Sequence, residues 1–250
     1  MVLHPAVREA HQPLAEEGPR ELRALATAFN RMAADLEGME RERAMVLAGI
    51  SHDVRTPLSR LRLALEMSGA EPSAAAAMIA DIDEIDAVIA QFLDFARGGA
   101  DENKRADDLN GVLEDLAEHY ARLGKKLEVA QSRLAPFAFA RMAVRRAVAN
   151  LIDNALRYAG EPIEVELIHD HRKAVIEVRD RGPGIPQAEA ERLKRPYTRL
   201  DDARSGAPGS GLGLAIVERV ARSHGGSLEL LPRSGGGLLA RLTLDTHATA

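Results

Sequence analysis

The sequence contains no cysteine, which excludes a disulfide framework and any thiolate metal site. It also lacks tryptophan, and aromatic residues reach only 3%, too few for the stacking platforms of single-strand nucleic-acid binders. Basic residues are not in excess: 33 Lys and Arg stand against 38 Asp and Glu, a formal net charge of −5. A phosphate-backbone binder needs the opposite balance, so nucleic acid is not an expected partner. No apolar run approaches the roughly 18 residues of a membrane-spanning helix. The opening Met1-Val2-Leu3-His4-Pro5 lacks a signal-peptide pattern. What the 250 residues do have is 46% hydrophobic and 28% charged side chains, enough for one or two cores with solvated faces.

Periodicity divides the chain. Residues 1–36 begin with the breakers Pro5, Pro13, Gly18 and Pro19, then carry a helical stripe of Leu22, Leu25, Phe29, Met32 and Leu36. Residues 37–98 read as two helices, one with Leu47, Ile50, Val54, Leu58, Leu61 and Leu65, the other with Met78, Ile82, Ile85, Ile89 and Phe92. Alternating steps of three and four make a narrow coiled-coil-like seam, and Ser68-Gly69-Ala70-Glu71-Pro72-Ser73 supplies a turn between them. Two helices bury little alone, so a dimeric antiparallel four-helix bundle is the expected completion. Residues 99–108 are polar and aperiodic and read as a linker.

Over 109–247 the pattern predicts helices near 109–123, 141–158 and 211–223, and strands near 127–129, 163–167, 174–178, 228–230 and 238–244. Adjacent hairpin-like strands mixed with helices predict an α/β two-layer sandwich rather than a doubly wound parallel sheet. The expected fold class is therefore multidomain, α followed by α+β.

Two constellations carry chemistry. In Ser51-His52-Asp53-Val54-Arg55-Thr56-Pro57-Leu58, the seam residues Ile50, Val54 and Leu58 leave His52 facing solvent, with Thr56 four residues on along the same face. Asp53 is close enough to bias the imidazole. Pro57 lacks a donor and crowds the preceding turn, which predicts a kink. An exposed neutral imidazole is a competent nucleophile near pH 7.

Further on, Asn150 and Asn154 lie one turn apart on one helix face, and amide oxygens are suitable hard ligands for Mg²⁺. In Asp180-Arg181-Gly182-Pro183-Gly184 a carboxylate ends an apolar strand, where it can accept from an exocyclic amine while glycines let the backbone pass close to a base. Gly209-Ser210-Gly211-Leu212-Gly213-Leu214 opens a helix whose free amides suit phosphates. The glycine spacing is not that of a dinucleotide fingerprint, and no Lys-Ser/Thr pair follows it.

The stretch around His52 resembles the H-box of sensor histidine kinases, and its continuation through Met67 resembles the EnvZ-type branch. The order of asparagine box, D-x-G-x-G, long loop and G-x-G-L-G-L resembles the Bergerat ATP-binding fold of the same kinases. The resemblance implies ATP and Mg²⁺ as cofactors, His52 as phosphoacceptor, Asp53 as its acid/base partner and Thr56 as a residue that orients water for dephosphorylation. It makes Asn154 the main Mg²⁺ ligand with Asn150 beside it, puts Asp180 on the adenine amine, and lines the base with Gly182 and Gly184. Gly209, Gly211, Leu212 and Gly213 would form the hinge and phosphate cradle, and Tyr158 joins the nucleotide-binding set. Residues 184–208 would be a mobile lid, and His224-Gly225-Gly226 matches the family's turn after the last helix.

One departure stands out: where the family often has F-x-P-F before the lid, this chain has Lys194-Arg195-Pro196-Tyr197. Residues 21–32 resemble the second helix of a HAMP linker. That implies a cytoplasmic portion of an inner-membrane protein, attached only through upstream segments, with a homodimeric bundle and an OmpR-like response regulator as partner. Two other readings compete. A gyrase-, Hsp90- or MutL-like ATPase usually has a glutamate where Asn150 stands, and a non-catalytic dimeric scaffold finds support only in the altered Lys194–Tyr197 box.

Overall fold

The computed structural model describes residues 14–67, 71–97, 103–200 and 210–247; within the helices it leaves aside the side chains of 36, 37, 40–53, 72, 84 and 94–97. The chain divides into two compact units, Met1–Arg97 and Gly98–Ala250.

The first unit is a helical hairpin of α1 (Arg20–Met67) and α2 (Pro72–Arg97). At 1.5 Å per residue, the 48 residues of α1 extend about 72 Å. The helix runs without a break from the amino-terminal stripe into the His52 segment, so the division drawn at residue 36 is one of sequence character. It also passes through Pro57. A mid-helix proline forfeits one backbone bond at a cost of about 3 kcal/mol, and ion pairs with α2 lie on either side of it. Arg55 Nε meets Asp86 at 2.6 Å and Arg62 Nη1 meets Asp83 at 2.8 Å. Before α1, the Leu14 main chain is held by the Asn30 side chain (2.8 and 2.9 Å) and Glu16 accepts from Thr27 Oγ1 at 2.8 Å.

The second unit has elements β1 (Arg105–Asp107), α3 (Leu109–Arg122), β2 (Leu127–Ala130), β3 (Phe137–Phe139), α4 (Arg141–Tyr158), β4 (Ile163–Asp170), β5 (Lys173–Arg179), a short α5 (Ala190–Leu193), α6 (Gly213–Ser223), β6 (Ser227–Pro232) and β7 (Leu238–Asp245). Five strands form one sheet in the order β2-β4-β5-β7-β6. Only the β2–β4 pair is parallel; Val165 pairs with Val178, Ile176 with Leu242 and Leu230 with Ala240 in antiparallel register.

The period-2 alternation sends Ile163, Val165, Leu167, Ile176, Val178, Leu242 and Leu244 into the core, where they are at most 2% exposed. Leu113, Leu116, Val144, Val148, Leu151 and Val217 are buried to the same degree. The two-layer sandwich expected from the sequence is the observed architecture. The stretch 99–108, read as linker, contains β1, which pairs antiparallel with β3. Three residues, two of them charged, are too few to show a period of their own, so only their partner reveals them.

The outer sheet face is charged. Glu177, 3% exposed, accepts from Arg241 Nε at 2.8 Å and from Arg179 Nε at 3.0 Å. Burial pushes its carboxyl upward, but the Arg241 and Arg179 hydrogen bonds outweigh it and hold the carboxyl below the usual glutamate range.

Candidate functional site

The pocket residues rest on one helix, one strand end and one helix start. Helix α4 carries Asn150 and Asn154, both half-buried. The Asn150 amide nitrogen donates to Arg146 O at 3.0 Å, which leaves Oδ1 turned toward Gly213. A Cβ at 213 would stand 3.3 Å from that oxygen, so the glycine keeps the two elements this close. Helix α4 is fixed about its axis by a contact the sequence did not reveal. Tyr120 on α3, 4% exposed, donates from its hydroxyl to Asp153 Oδ1 at 2.6 Å. Burial first, then the Asp153 carboxylate, raises the tyrosine pKa well above its ordinary value.

Asp180 directly follows β5 and is 6% exposed. Its Oδ1 accepts from Gly182 N at 2.8 Å and Leu238 N at 3.1 Å, so both main-chain amides converge on one carboxylate oxygen and Oδ2 takes neither. Gly182 lies against the end of α4, where a Cβ would come within 2.8 Å of Ala159 Cβ. Gly184 has φ +72° and would meet Gly237 O at 3.1 Å. Gly237 itself was not singled out by sequence reasoning, yet a Cβ there would be 2.1 Å from Asp180 O. The run Gly235-Gly236-Gly237 before the last strand was the available signal.

Helix α6 begins at Gly213, with no side-chain cap on its first turn, so its leading amides are open to an anion. Leu212 is 1% exposed; its side chain anchors the helix start and its amide donates to Ser210 Oγ at 3.2 Å. Tyr158 is 47% exposed, and its main-chain oxygen borders Gly182. His224 closes α6 from within the core at 2% exposure. Its Nε2 accepts from Ala140 N at 3.0 Å, which puts the ring proton on Nδ1, 2.8 Å from Val220 O. A match to a family turn is thus also a structural bond between α6 and the start of α4.

The altered Lys194–Tyr197 box is held by main-chain bonds. Tyr197 N donates to Gly211 O at 3.0 Å, with Tyr197 at φ +61°. Thr198 Oγ1 donates to Arg192 O at 2.8 Å. The Lys194 side chain is 11% exposed and ends on Glu191 at 2.5 Å, so an aliphatic stem occupies the covered position and its ammonium reaches a carboxylate. Gly209 and residues 201–208 of the expected lid lie outside the described residues. On α1, Thr56 is exposed; the side chains of His52 and Asp53 lie outside the described residues. Among the described residues no group of three or more His, Cys, Asp or Glu side chains is placed to hold a metal ion. A Mg²⁺ ion held chiefly by phosphate oxygens and water needs no such group.

Comparison with known families accounts for both units. The phospho-acceptor domain model, His Kinase A, matches residues 42–101. The histidine kinase-, DNA gyrase B- and HSP90-like ATPase model matches residues 140–248. Over 232 residues the chain is 35% identical to the sensor histidine kinase GtrS of Pseudomonas aeruginosa, a match covering 92% of this chain and 48% of that protein. The chain belongs to the sensor histidine kinases.

A second relative of this family is the histidine-protein kinase/phosphatase MprB of Mycolicibacterium smegmatis, 33% identical over 244 residues, covering 90% of this chain and 49% of that protein. Full-length ShkA, solved in complex with AMPPNP, superposes with a TM-score of 0.65 at 24% identity, covering 83% of this chain and 47% of that one; at that identity the likeness is one of fold. The sensor-kinase chain spans about half the length of the relatives it matches. None of its helices, among the described residues, is long and apolar enough to cross a membrane.

Proposed function

We propose that this chain is an ATP-dependent protein-histidine kinase of a two-component pathway, with His52 as the residue that receives the phosphoryl group. One observation carries the reading: a helix bearing His52, Thr56 and Pro57 shares a chain with a fold in which Asn150 of α4 lies against Gly213 at the start of α6, while the Asp180 loop meets the end of the same helix through Gly182. In this reading Asp180 Oδ2 accepts from the adenine amine, Gly182 and Gly184 border the base, and Tyr158 lies at its edge. The amides of Gly209, Gly211 and Gly213 donate to phosphate oxygens, and the Leu212 amide joins them where it gives up its bond to Ser210 Oγ. The amide oxygens of Asn154 and Asn150 fit a Mg²⁺ ion, which when bound would neutralise charge on the transferring phosphoryl group.

An imidazole nitrogen of His52 attacks the γ-phosphorus. The N–P bond forms as the bond to the β-phosphate oxygen breaks, ADP leaves, and Asp53 accepts the imidazole proton. The phosphoryl group then passes to an aspartate of a response regulator, OmpR-like in type.

Thr56 favours a second activity at the same helix face. Exposed one turn from His52, its hydroxyl can orient water for dephosphorylation of the regulator. That MprB is named a kinase/phosphatase supports this. The functional division is 1–36 HAMP-like, 37–98 dimerisation and phosphotransfer, 99–108 linker and 109–247 ATP-binding. The hairpin pairs with a second copy, and the chain is the cytoplasmic portion of an inner-membrane sensor, consistent with its covering half of its relatives.

Incubation with γ-labelled ATP and Mg²⁺ tests the reading. Acid-labile label on the protein that disappears in His52→Gln is the expected result. Steady phosphate release without labelled protein would instead indicate an ATPase, and neither signal a scaffold.

A further inference from the structure

The loop that carries Asp180 rests on the turn between β6 and β7, and one side chain of that turn reaches it. Arg233 follows β6 directly, and its side chain is 15% exposed. Its Nη1 donates to the main-chain oxygen of Asp180 at 3.2 Å. Its Nη2 donates to both carboxylate oxygens of Glu164 on β4, at 2.7 and 2.8 Å. A charge-assisted contact of this kind orients the guanidinium plane as well as neutralising it, so a rigid strand sets the direction of the nitrogen that bonds Asp180.

The turn is closed on itself by Arg233 N donating to Gly237 O at 3.1 Å, and Asp180 N donates to Leu238 O at 3.0 Å. Leu238 N returns a bond to Asp180 Oδ1 at 3.1 Å. Guanidinium, glycine contact and paired backbone bonds thus all bear on one residue.

We infer that Arg233, tied to Glu164, is a positioning residue for base selection: it holds the Asp180 peptide so that the free carboxylate oxygen meets the exocyclic amine of adenine. The inference rests on the nucleotide reading of Asp180 given above. A lysine could satisfy either Glu164 or Asp180 but lacks the fork that spans both.

The test is the affinity of the whole chain for ATP and for a purine ribonucleoside triphosphate lacking the 6-amino group, measured by calorimetry. Arg233→Met keeps the apolar stem. It is expected to weaken ATP about tenfold, the scale of one lost charge-assisted bond, while changing the analogue less than about twofold. Arg233→Lys should fall between, and Glu164→Gln should move in the same direction as Arg233→Met. Equal weakening of both nucleotides, or of neither, overturns the inference, the former marking Arg233 as a general fold contact. The reading of Asp180 has its own control: Asp180→Ala should abolish the preference for ATP. A wild-type chain that binds both nucleotides alike overturns that reading and takes the inference with it.

Discussion

In the sandwich, side chains from α3, α4, α6 and the inner sheet face close over one another until Val144, Val148, Ile163, Ile176 and Val217 have no measurable exposure. In the hairpin, the described part of the seam is covered on one side only. Leu58, Leu65, Ile89 and Phe92 are half-covered and Ile82 is buried, while Val54, Leu61, Met78 and Ile85 are 37%, 51%, 52% and 46% exposed. Leu58 and Leu65 are one heptad apart, as are Val54 and Leu61, and the two pairs divide the seam between an inner and an outer side. One unit thus supplies its own core; the other presents half of a core. The lesson is that apolar patterning of equal strength states a need for burial without stating where the burial comes from.

The largest expected effect comes from removing that need. Leu61→Asp together with Ile85→Asp should convert the proposed dimer to a monomer in sedimentation velocity, raising the dissociation constant by at least about 30-fold and lowering His52 labelling with it. Nucleotide affinity of the sandwich should stay unchanged. A variant that remains dimeric would remove the distinction between the two units.

A second substitution probes the self-sufficient unit. Glu177→Gln removes the charge shared by Arg179 and Arg241, both of which keep some solvent contact, so a loss of about 1–3 kcal/mol in urea unfolding at pH 7 is expected. The sign with pH follows from the direction of the shift. The Glu177 carboxyl is lowered in the folded state, so its stabilisation is present above the unfolded-state value. It is lost as pH falls through the usual glutamate range toward the lowered one. The wild type should therefore lose more stability than the variant between pH 6 and about pH 3.

The smallest effect belongs to the hairpin's exposed ion pairs. Arg55 and Asp86 are 45% and 47% exposed. Asp86→Asn should shift the unfolding free energy by about 0.2–1 kcal/mol, and less at 1 M salt.

Much of the site was legible because its parts are local. Asn150 and Asn154 share a face through helix geometry alone; Gly182, Gly184 and Gly211 stand where a Cβ would clash or where the backbone turns left-handed, and Gly213 lies close against Asn150. What escaped notice depends on distant partners. Arg233 and Gly237 matter because β6 and β7 fold back onto the Asp180 loop, more than fifty residues earlier in the chain. Tyr120 matters because α3 packs on α4, and β1 exists because β3 is beside it. The Lys194–Tyr197 box offers an intermediate case: the missing aromatic at Lys194 was visible, but its replacement by a covered lysine stem and a main-chain bond from Tyr197 to Gly211 was not.

The sequence by itself determined the longer helices and strands, which of their faces seek cover, and which polar residues are spaced for nucleotide and phosphoryl chemistry, since periods of 3.6 and 2 are properties of adjacent residues; the short β1, β3 and α5 lay below that signal. Only the tertiary structure decided which oxygen of Asp180 is occupied, which arginine supports it and how α4 is turned toward the pocket. Those bonds join residues far apart in the chain, and their strength depends on burial that exists only once the sheet and helices have closed.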